Sequence, residues 1–103
     1  MAVRALSIQE FEKFGAARVT VDGLTLRAVE WFADDGGVVL GVIAYHPADL
    51  AWALVILGRD IYGKFRALDR DRGLRDLDEA RRTLVEKMVL ASGRKALTAP
   101  SAA

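Results

Sequence analysis

The chain has 103 residues with no cysteine and one histidine, and its 15 basic and 14 acidic side chains almost cancel. A chain of this length forms one domain, because two separate cores would each be too small to be stable. The lack of cysteine excludes a disulfide framework, thiolate metal sites and cysteine nucleophiles, and a single histidine excludes a multi-histidine zinc site. We therefore expect a protein that is not an enzyme and needs no cofactor.

No targeting segment is evident in the sequence. The apolar stretch within residues 1–10 is too short for a signal peptide. The longest apolar run, residues 38–57, is interrupted by a glycine, a histidine, a proline and an aspartate, whereas a bilayer span needs about 20 mostly apolar residues. We therefore expect a cytoplasmic protein that has no membrane partner.

A short helix is predicted over residues 8–14. Ser7 and Glu10 have the spacing of a capping box, in which each side chain accepts a hydrogen bond from the other residue's backbone. Apolar residues then recur every three positions, and Gly15 is suited to end the helix. An irregular N-terminal arm is the alternative.

Five strands are predicted next, at residues 17–21, 24–32, 38–45, 51–57 and 64–69. Asp22-Gly23 between the first two is a strong hairpin signal, because a type I′ turn needs positive φ at both central residues. We interpret Asp34 and Asp35, which precede two glycines, as turn residues rather than calcium ligands, since further oxygen ligands are not apparent. The connections are short, which predicts an antiparallel meander.

A long C-terminal helix is predicted to begin after the N-cap Asp76 and to end at Ser92-Gly93. Its apolar residues step by three and four positions, which is typical of an amphipathic helix: Leu77, Ala80, Leu84, Met88 and Ala91. Residues 1–93 are therefore predicted to form a single α+β domain, an antiparallel meander of about five strands packed against this helix. Residues 94–103 are predicted to be a disordered tail.

The strand predicted at residues 51–57 is apolar on both sides, so both faces of the sheet must be covered. The C-terminal helix covers one face, and the short N-terminal helix, a partner subunit or a strong curl of the sheet covers the other. We expect a homodimer or another protein as partner, bound at the uncovered sheet face or edge. Aromatic residues concentrate binding energy, so the expected anchors are Trp31, Phe32, Tyr45 and Trp52. For any one of them taken singly, packing in the core is the favoured interpretation.

Charge is distributed unevenly, with a net charge of −3 over residues 1–58 and +4 over residues 59–103. Six cations lie on one predicted hairpin and the loop after it: Arg59, Lys64, Arg66, Arg70, Arg72 and Arg75. They could contact phosphates, with Tyr62 and Phe65 as a stacking surface, which makes nucleic-acid binding the alternative function. This alternative is not favoured, because aspartates lie between the arginines and the isoelectric point is only about 8.1.

Two further groups of polar residues are interpreted without a catalytic role. His46 and Asp49 could orient a general base, but no nucleophile lies near them in the sequence, and we interpret His46 as a surface loop histidine. The aspartates of the stretch 69–72 alternate with arginines, and we interpret them as neutralised by those neighbours rather than as metal ligands.

Residues 57–69 have the pattern Leu-Gly-Arg-Asp-x-x-Gly-x-Phe-Arg-Ala-x-Asp. Together with Trp31, the Val-Leu-Gly stretch at 39–41 and Glu79-Ala80, this segment resembles a small bacterial domain family of unknown function. The resemblance covers about residues 31–88. It implies a bacterial protein and brings no activity, cofactor or site residue with it.

Overall fold

The computed structural model describes residues 3–7, 9–10 and 18–98, with only the backbone described for 94–98. These residues form six strands and one long helix: β1 (Val3–Ala5), β2 (Arg18–Val21), β3 (Leu24–Asp34), β4 (Val39–His46), β5 (Ala51–Arg59), β6 (Phe65–Leu74) and α1 (Leu77–Thr98). All strand pairs are antiparallel; β3 to β6 are neighbours in chain order, and both β1 and β2 pair with β3. The predicted α+β class is confirmed.

The N-terminal region differs from the prediction. β1 was not predicted, because three residues are too few to show a strand periodicity; it pairs with the end of β3. Of the helix predicted over residues 8–14, the structure describes only Gln9 and Glu10, and the described part of the chain has no N-terminal helix among its elements. Residues 8 and 11–14 of that prediction lie outside the described residues. The capping-box hydrogen bonds are present: Glu10 N donates to Ser7 Oγ at 3.3 Å, and Ser7 N donates to Glu10 Oε1 at 3.4 Å.

Two boundaries near the C-terminus were predicted wrongly. The charged stretch 70–73, predicted as a loop, belongs to β6. Helix α1 does begin after Asp76, whose Oδ1 accepts a hydrogen bond from Glu79 N at 2.7 Å, but it continues past Gly93 to Thr98. A glycine costs a helix about 1 kcal/mol without ending it. Residues 94–98 of the predicted tail are therefore helical, and 99–103 lie outside the described residues.

Helix α1 covers one face of the sheet, as predicted. The side chains buried between them are Val39, Ile43, Leu54, Ile56, Leu74, Ala80, Leu84, Met88 and Ala91. The helix packs tightly at Gly41, where an added Cβ would lie 2.7 Å from side-chain atoms of both Leu84 and Met88. Gly41 therefore allows the helix to lie directly on β4. Among the described residues, no helix has the length and apolar character needed to span a membrane.

The opposite face is covered by the β2–β3 hairpin. Apolar side chains of this hairpin pack on those of the central strands in a second core: Val19, Val21, Leu26, Trp31, Ala33, Leu40, Val42, Ala44, Ala53 and Val55. The register of β3 against β4 shifts between Ala28 and Glu30, and such a bulge bends a strand. The hairpin turn has positive φ at Asp22 (49°) and Gly23 (85°), as predicted. The sequence left three alternatives for what covers this face, namely the N-terminal helix, a partner subunit and a strong curl of the sheet. The structure shows the curl of the sheet.

Candidate functional site

Arg72 lies at the centre of a charged cluster that joins three parts of the fold. Its Nε and Nη2 donate to the carboxylate of Asp49 in the β4–β5 turn, at 2.9 and 2.8 Å. Its Nη1 donates to Asp22 in the β2–β3 turn at 2.7 Å, and Arg70 Nε lies 3.0 Å from the same carboxylate. The cluster therefore fastens the turn of the curled hairpin to β6 and to the neighbouring turn.

These contacts keep both carboxylates charged. The hydrogen bonds from Arg72 are the main reason why the pKa values of Asp22 and Asp49 lie below their usual range. The same two carboxylates raise the pKa of Arg72. Two of the cations predicted to contact phosphates, Arg70 and Arg72, are thus already neutralised within the fold. Their partners are distant in sequence, rather than the adjacent aspartates as predicted.

His46 was wrongly interpreted as a surface loop residue. It is the last residue of β4, it pairs with Ala51, and it is only 3% exposed. Its Nδ1 is buried and has no hydrogen-bond partner among the described residues. An open depression of about 740 Å³ beside the cluster is lined by Asp49, Leu50, Ala51, Arg72, Gly73 and Arg75, and His46 is not among these residues. The structure therefore does not bring His46 and Asp49 together in this depression.

The acidic turn between β3 and β4 uses its first aspartate to close the turn. Oδ1 of Asp34 accepts hydrogen bonds from Val38 N at 2.9 Å and from Val39 N at 3.2 Å. This agrees with the interpretation of Asp34 as a turn residue. In the part of the chain that the structure describes, no three potential metal-ligating side chains lie together.

The four aromatic residues predicted as interaction anchors do not share a surface. Trp31 is 1% exposed and lies in the core beneath the curled hairpin, so for this residue core packing is the correct interpretation. Phe32 and Trp52 are half-buried on the opposite face, beside α1. Tyr45 is 42% exposed, and its ring meets the edge of Trp52 with the centroids 5.5 Å apart. Only Tyr45 and Trp52 form a neighbouring, partly exposed pair.

The β5–β6 hairpin tip, residues 60–64, exposes large apolar side chains. Ile61 is 91% exposed and Tyr62 is 79% exposed. Polar or small residues are the usual occupants of such a turn. From the sequence, Tyr62 was predicted only as a stacking residue, and Ile61 was not predicted to have a role. Two consecutive apolar residues between Asp60 and Gly63 were the signal for this tip.

Asp60 holds the hairpin tip in one conformation. Its Oδ1 accepts hydrogen bonds from Tyr62 N at 2.9 Å and Lys64 N at 3.0 Å, and its Oδ2 accepts one from Arg66 Nε at 2.8 Å. Its backbone N–H donates to Lys64 O at 2.8 Å, while Gly63 N donates to its carbonyl at 3.0 Å. The Arg66 contact, aided by the backbone donors, lowers the pKa of Asp60 below its usual range. Hydrogen bonds to Asp60 therefore define the conformation of the tip, although its apolar side chains face solvent.

Basic side chains flank the hairpin tip. The guanidinium of Arg59 lies over the ring of Phe65, 4.8 Å from its centroid. Lys64 is exposed, and neither it nor Arg75 has an acidic partner within the described ranges. Of the six cations predicted to bind nucleic acid, Arg66, like the two in the Arg72 cluster, is paired with an aspartate. The predicted basic patch therefore contains both arginines that are paired with aspartates and cations that have no such partner among the described residues.

Comparison with models of protein families, with characterised proteins and with solved structures found no significant match to this chain. The resemblance of residues 31–88 to a bacterial domain family therefore stays a prediction.

Proposed function

We propose that this chain is a non-catalytic protein-interaction module that contacts its partner through the hairpin tip. The observation that supports this is the exposure of Ile61 and Tyr62 on a turn whose backbone amides donate hydrogen bonds to Asp60. We propose a bacterial origin from the sequence resemblance, and a cytoplasmic location because a chain without cysteine gains nothing from an oxidising compartment.

The energetics favour binding at such a tip. Burying a large apolar side chain in a partner contributes about 1.5–3 kcal/mol. The turn is already ordered by the hydrogen bonds to Asp60, so less conformational entropy is lost on binding than with a flexible loop. A convex tip fits a concave apolar pocket on the partner, and the flanking Arg59 and Lys64 favour an acidic rim around that pocket.

The sheet faces, which were predicted to contact a partner, are less accessible than the hairpin tip. The helix and the curled hairpin cover the two faces of the sheet, so no large sheet face is left open in the described part of the chain. The apolar side chains of the hairpin tip are, by contrast, largely exposed. We propose a different protein as the partner, and a second copy of the chain, in a homodimer, is the alternative.

Nucleic-acid binding is the second candidate function. The hairpin tip combines the exposed ring of Tyr62 with the cations Arg59 and Lys64, and bases can stack on such a ring. Against this, Arg66, Arg70 and the Arg72 guanidinium are held by aspartates, which reduces the positive potential available to phosphates. We therefore place nucleic-acid binding second.

A site-specific photo-crosslinking experiment tests the proposal. A photo-reactive phenylalanine analogue replaces Tyr62 in one variant and, as a matched control, Leu50, which is equally exposed at the other end of β5. In native cells we expect a discrete protein adduct from position 62 that is absent from position 50 and is lost when Ile61→Ser is added. No adduct, or the same adduct from both positions, would contradict the proposal.

The mass of the adduct and a nucleic-acid titration separate the alternatives. An adduct of twice the chain mass would identify a second copy as the partner. Fluorescence anisotropy of labelled DNA and RNA at two salt concentrations tests the second candidate. We expect no salt-dependent binding; binding that weakens steeply with salt and is lost in Ile61→Ser/Tyr62→Ser, but not in Leu50→Ser, would replace protein binding with nucleic-acid binding.

A further inference from the structure

β6 lies at one end of the strand order and, within the described residues, pairs only with β5. It is ten residues long. A long edge strand presents unpaired N–H and C=O groups to which a strand of another molecule can add. The protection of this edge therefore affects whether two copies of the chain associate.

The register shows which amides of β6 point outward. Arg59 N donates to Val38 O at 2.9 Å, so the backbone N–H and C=O of Arg59 point toward β4. Backbone groups alternate in direction along a strand, so those of Val55, four residues earlier in β5, also point toward β4. Val55 is the residue opposite Arg70 in β6. Opposite residues in an antiparallel pair exchange both hydrogen bonds or neither. The pair Val55–Arg70 exchanges neither, and the N–H of Arg70 points to the outer edge.

Aspartate side chains occupy this edge. Oδ1 of Asp69 accepts the hydrogen bond of the Arg70 N–H at 2.8 Å. Two residues further on, Oδ1 of Asp71 accepts that of the Arg72 N–H at 2.9 Å. Each carboxylate thus satisfies the amide of the residue that follows it. The alternating Asp-Arg-Asp-Arg sequence therefore places an acceptor from the chain itself beside the amides of two alternate residues, Arg70 and Arg72, of an edge strand.

We infer that Asp69 and Asp71 cap the outer edge of β6 and prevent it from adding the β6 strand of a second copy. An incoming strand would have to displace both carboxylates from the amides. If two β6 strands paired about a two-fold axis, residues on the same face of the two strands would lie opposite each other. Arginine would then face arginine, or aspartate would face aspartate, and like charges directly opposite each other are destabilising. This inference is independent of the partner proposed for the hairpin tip.

The test removes the two acceptors and measures association. In Asp69→Ala/Asp71→Ala we expect a twofold increase in molecular mass by sedimentation equilibrium, together with new protection of the Arg70 and Arg72 amides in hydrogen exchange. Asp69→Asn/Asp71→Asn retains carbonyl acceptors and should keep the wild-type mass. Lys87→Ala, which removes the 3.0 Å ion pair with Asp69 and leaves both caps in place, should also keep it.

Three results would overturn the inference. The first is an unchanged mass of the double alanine variant, and the second is a mass increase without protection of the Arg70 and Arg72 amides. The third is a wild-type dimer in which those amides are already protected by a second copy. If the double alanine variant does not fold by circular dichroism, Asp71→Ala alone gives the same readout, since Asp71 forms no ion pair among the described residues.

Discussion

Arg72 donates two hydrogen bonds to Asp49, from Nε at 2.9 Å and from Nη2 at 2.8 Å, although the two residues are 23 positions apart in the chain. Such a bidentate pair restricts both the distance and the orientation of the two groups. The third guanidinium nitrogen donates to Asp22, at the turn of the hairpin that covers the core around Trp31. One side chain on β6 therefore holds two turns against the sheet.

Arg72→Gln should lower the melting temperature at neutral pH, because it leaves Asp22 and Asp49 without their main partner. Both carboxyls have folded-state pKa values below the ordinary value of 3.8, so their contribution is complete above that pH and is lost as the pH falls below it. The wild-type melting temperature should therefore fall more steeply with acid than that of the variant. Thermal denaturation followed by circular dichroism across this range measures both effects.

Arg75→Gln is the matched control for that experiment. Arg75 lines the same depression as Arg72 but has no acidic partner in the described segments. It should keep the wild-type melting temperature and pH dependence. Equal behaviour of Arg72→Gln and Arg75→Gln would show that the cluster contributes nothing to the attachment of the hairpin.

Gly41→Ala should destabilise the protein, because the added Cβ would lie 2.7 Å from atoms of Leu84 and Met88 in helix α1. Overpacking of this kind typically costs about 1–3 kcal/mol. Chemical denaturation measures the change in the free energy of unfolding. At Gly36 an added Cβ makes only an ordinary contact at 3.6 Å, so Gly36→Ala should remain within about 1 kcal/mol of the wild type.

Replacement of Trp31 separates core packing from partner binding. Because Trp31 is buried among the side chains beneath the hairpin, Trp31→Ala should lower the free energy of unfolding by about 3–5 kcal/mol. Tyr45→Ala removes an exposed ring and one edge contact with Trp52, and should cost about 0.5–1.5 kcal/mol. Urea denaturation of the isolated variants tests both values. Equal losses would contradict the assignment of Trp31 to the core.

Asp60→Ala should loosen the hairpin tip while leaving its apolar side chains in place. The amides of Tyr62 and Lys64 lose their acceptor, so their hydrogen exchange should become faster. The crosslinking yield at position 62 should fall, because a disordered tip loses more entropy on binding. Asp60→Asn retains a carbonyl acceptor and should exchange more slowly than the alanine variant. Unchanged exchange in Asp60→Ala would show that other contacts order the tip.

Local signals in the sequence predicted much of the secondary structure. The Asp22-Gly23 turn was predicted because only a few residue types adopt positive φ readily. Asp76 was predicted as the N-cap because its carboxylate can accept a hydrogen bond from an amide in the first turn of the helix. β1 and the second half of β6 were not predicted. Three residues show no periodicity, and in β6 the bulge at Leu68 and the aspartate-arginine run conceal the alternation.

The candidate site was only partly predictable. The sequence placed Tyr62, Lys64 and Arg66 on one hairpin, and the structure agrees with that placement. It did not show that Asp60 would accept from two backbone amides and a guanidinium, because the same aspartate is compatible with many loop conformations. Nor did it show which cations would remain available, since that depends on residues that approach from distant turns.

The amino-acid sequence by itself determined the class of fold, the order of the main strands and the amphipathic helix, because periodicity, turns and caps depend on neighbouring residues. Only the tertiary structure decided what covers the second face of the sheet, where His46 and Trp31 lie, and which arginines are paired. The cover of the second face and the burial of Trp31 go with a bulge in β3, which bends the hairpin over the core. The bend brings Asp22 to Arg72, and contacts between residues 50 positions apart leave no local pattern in the sequence.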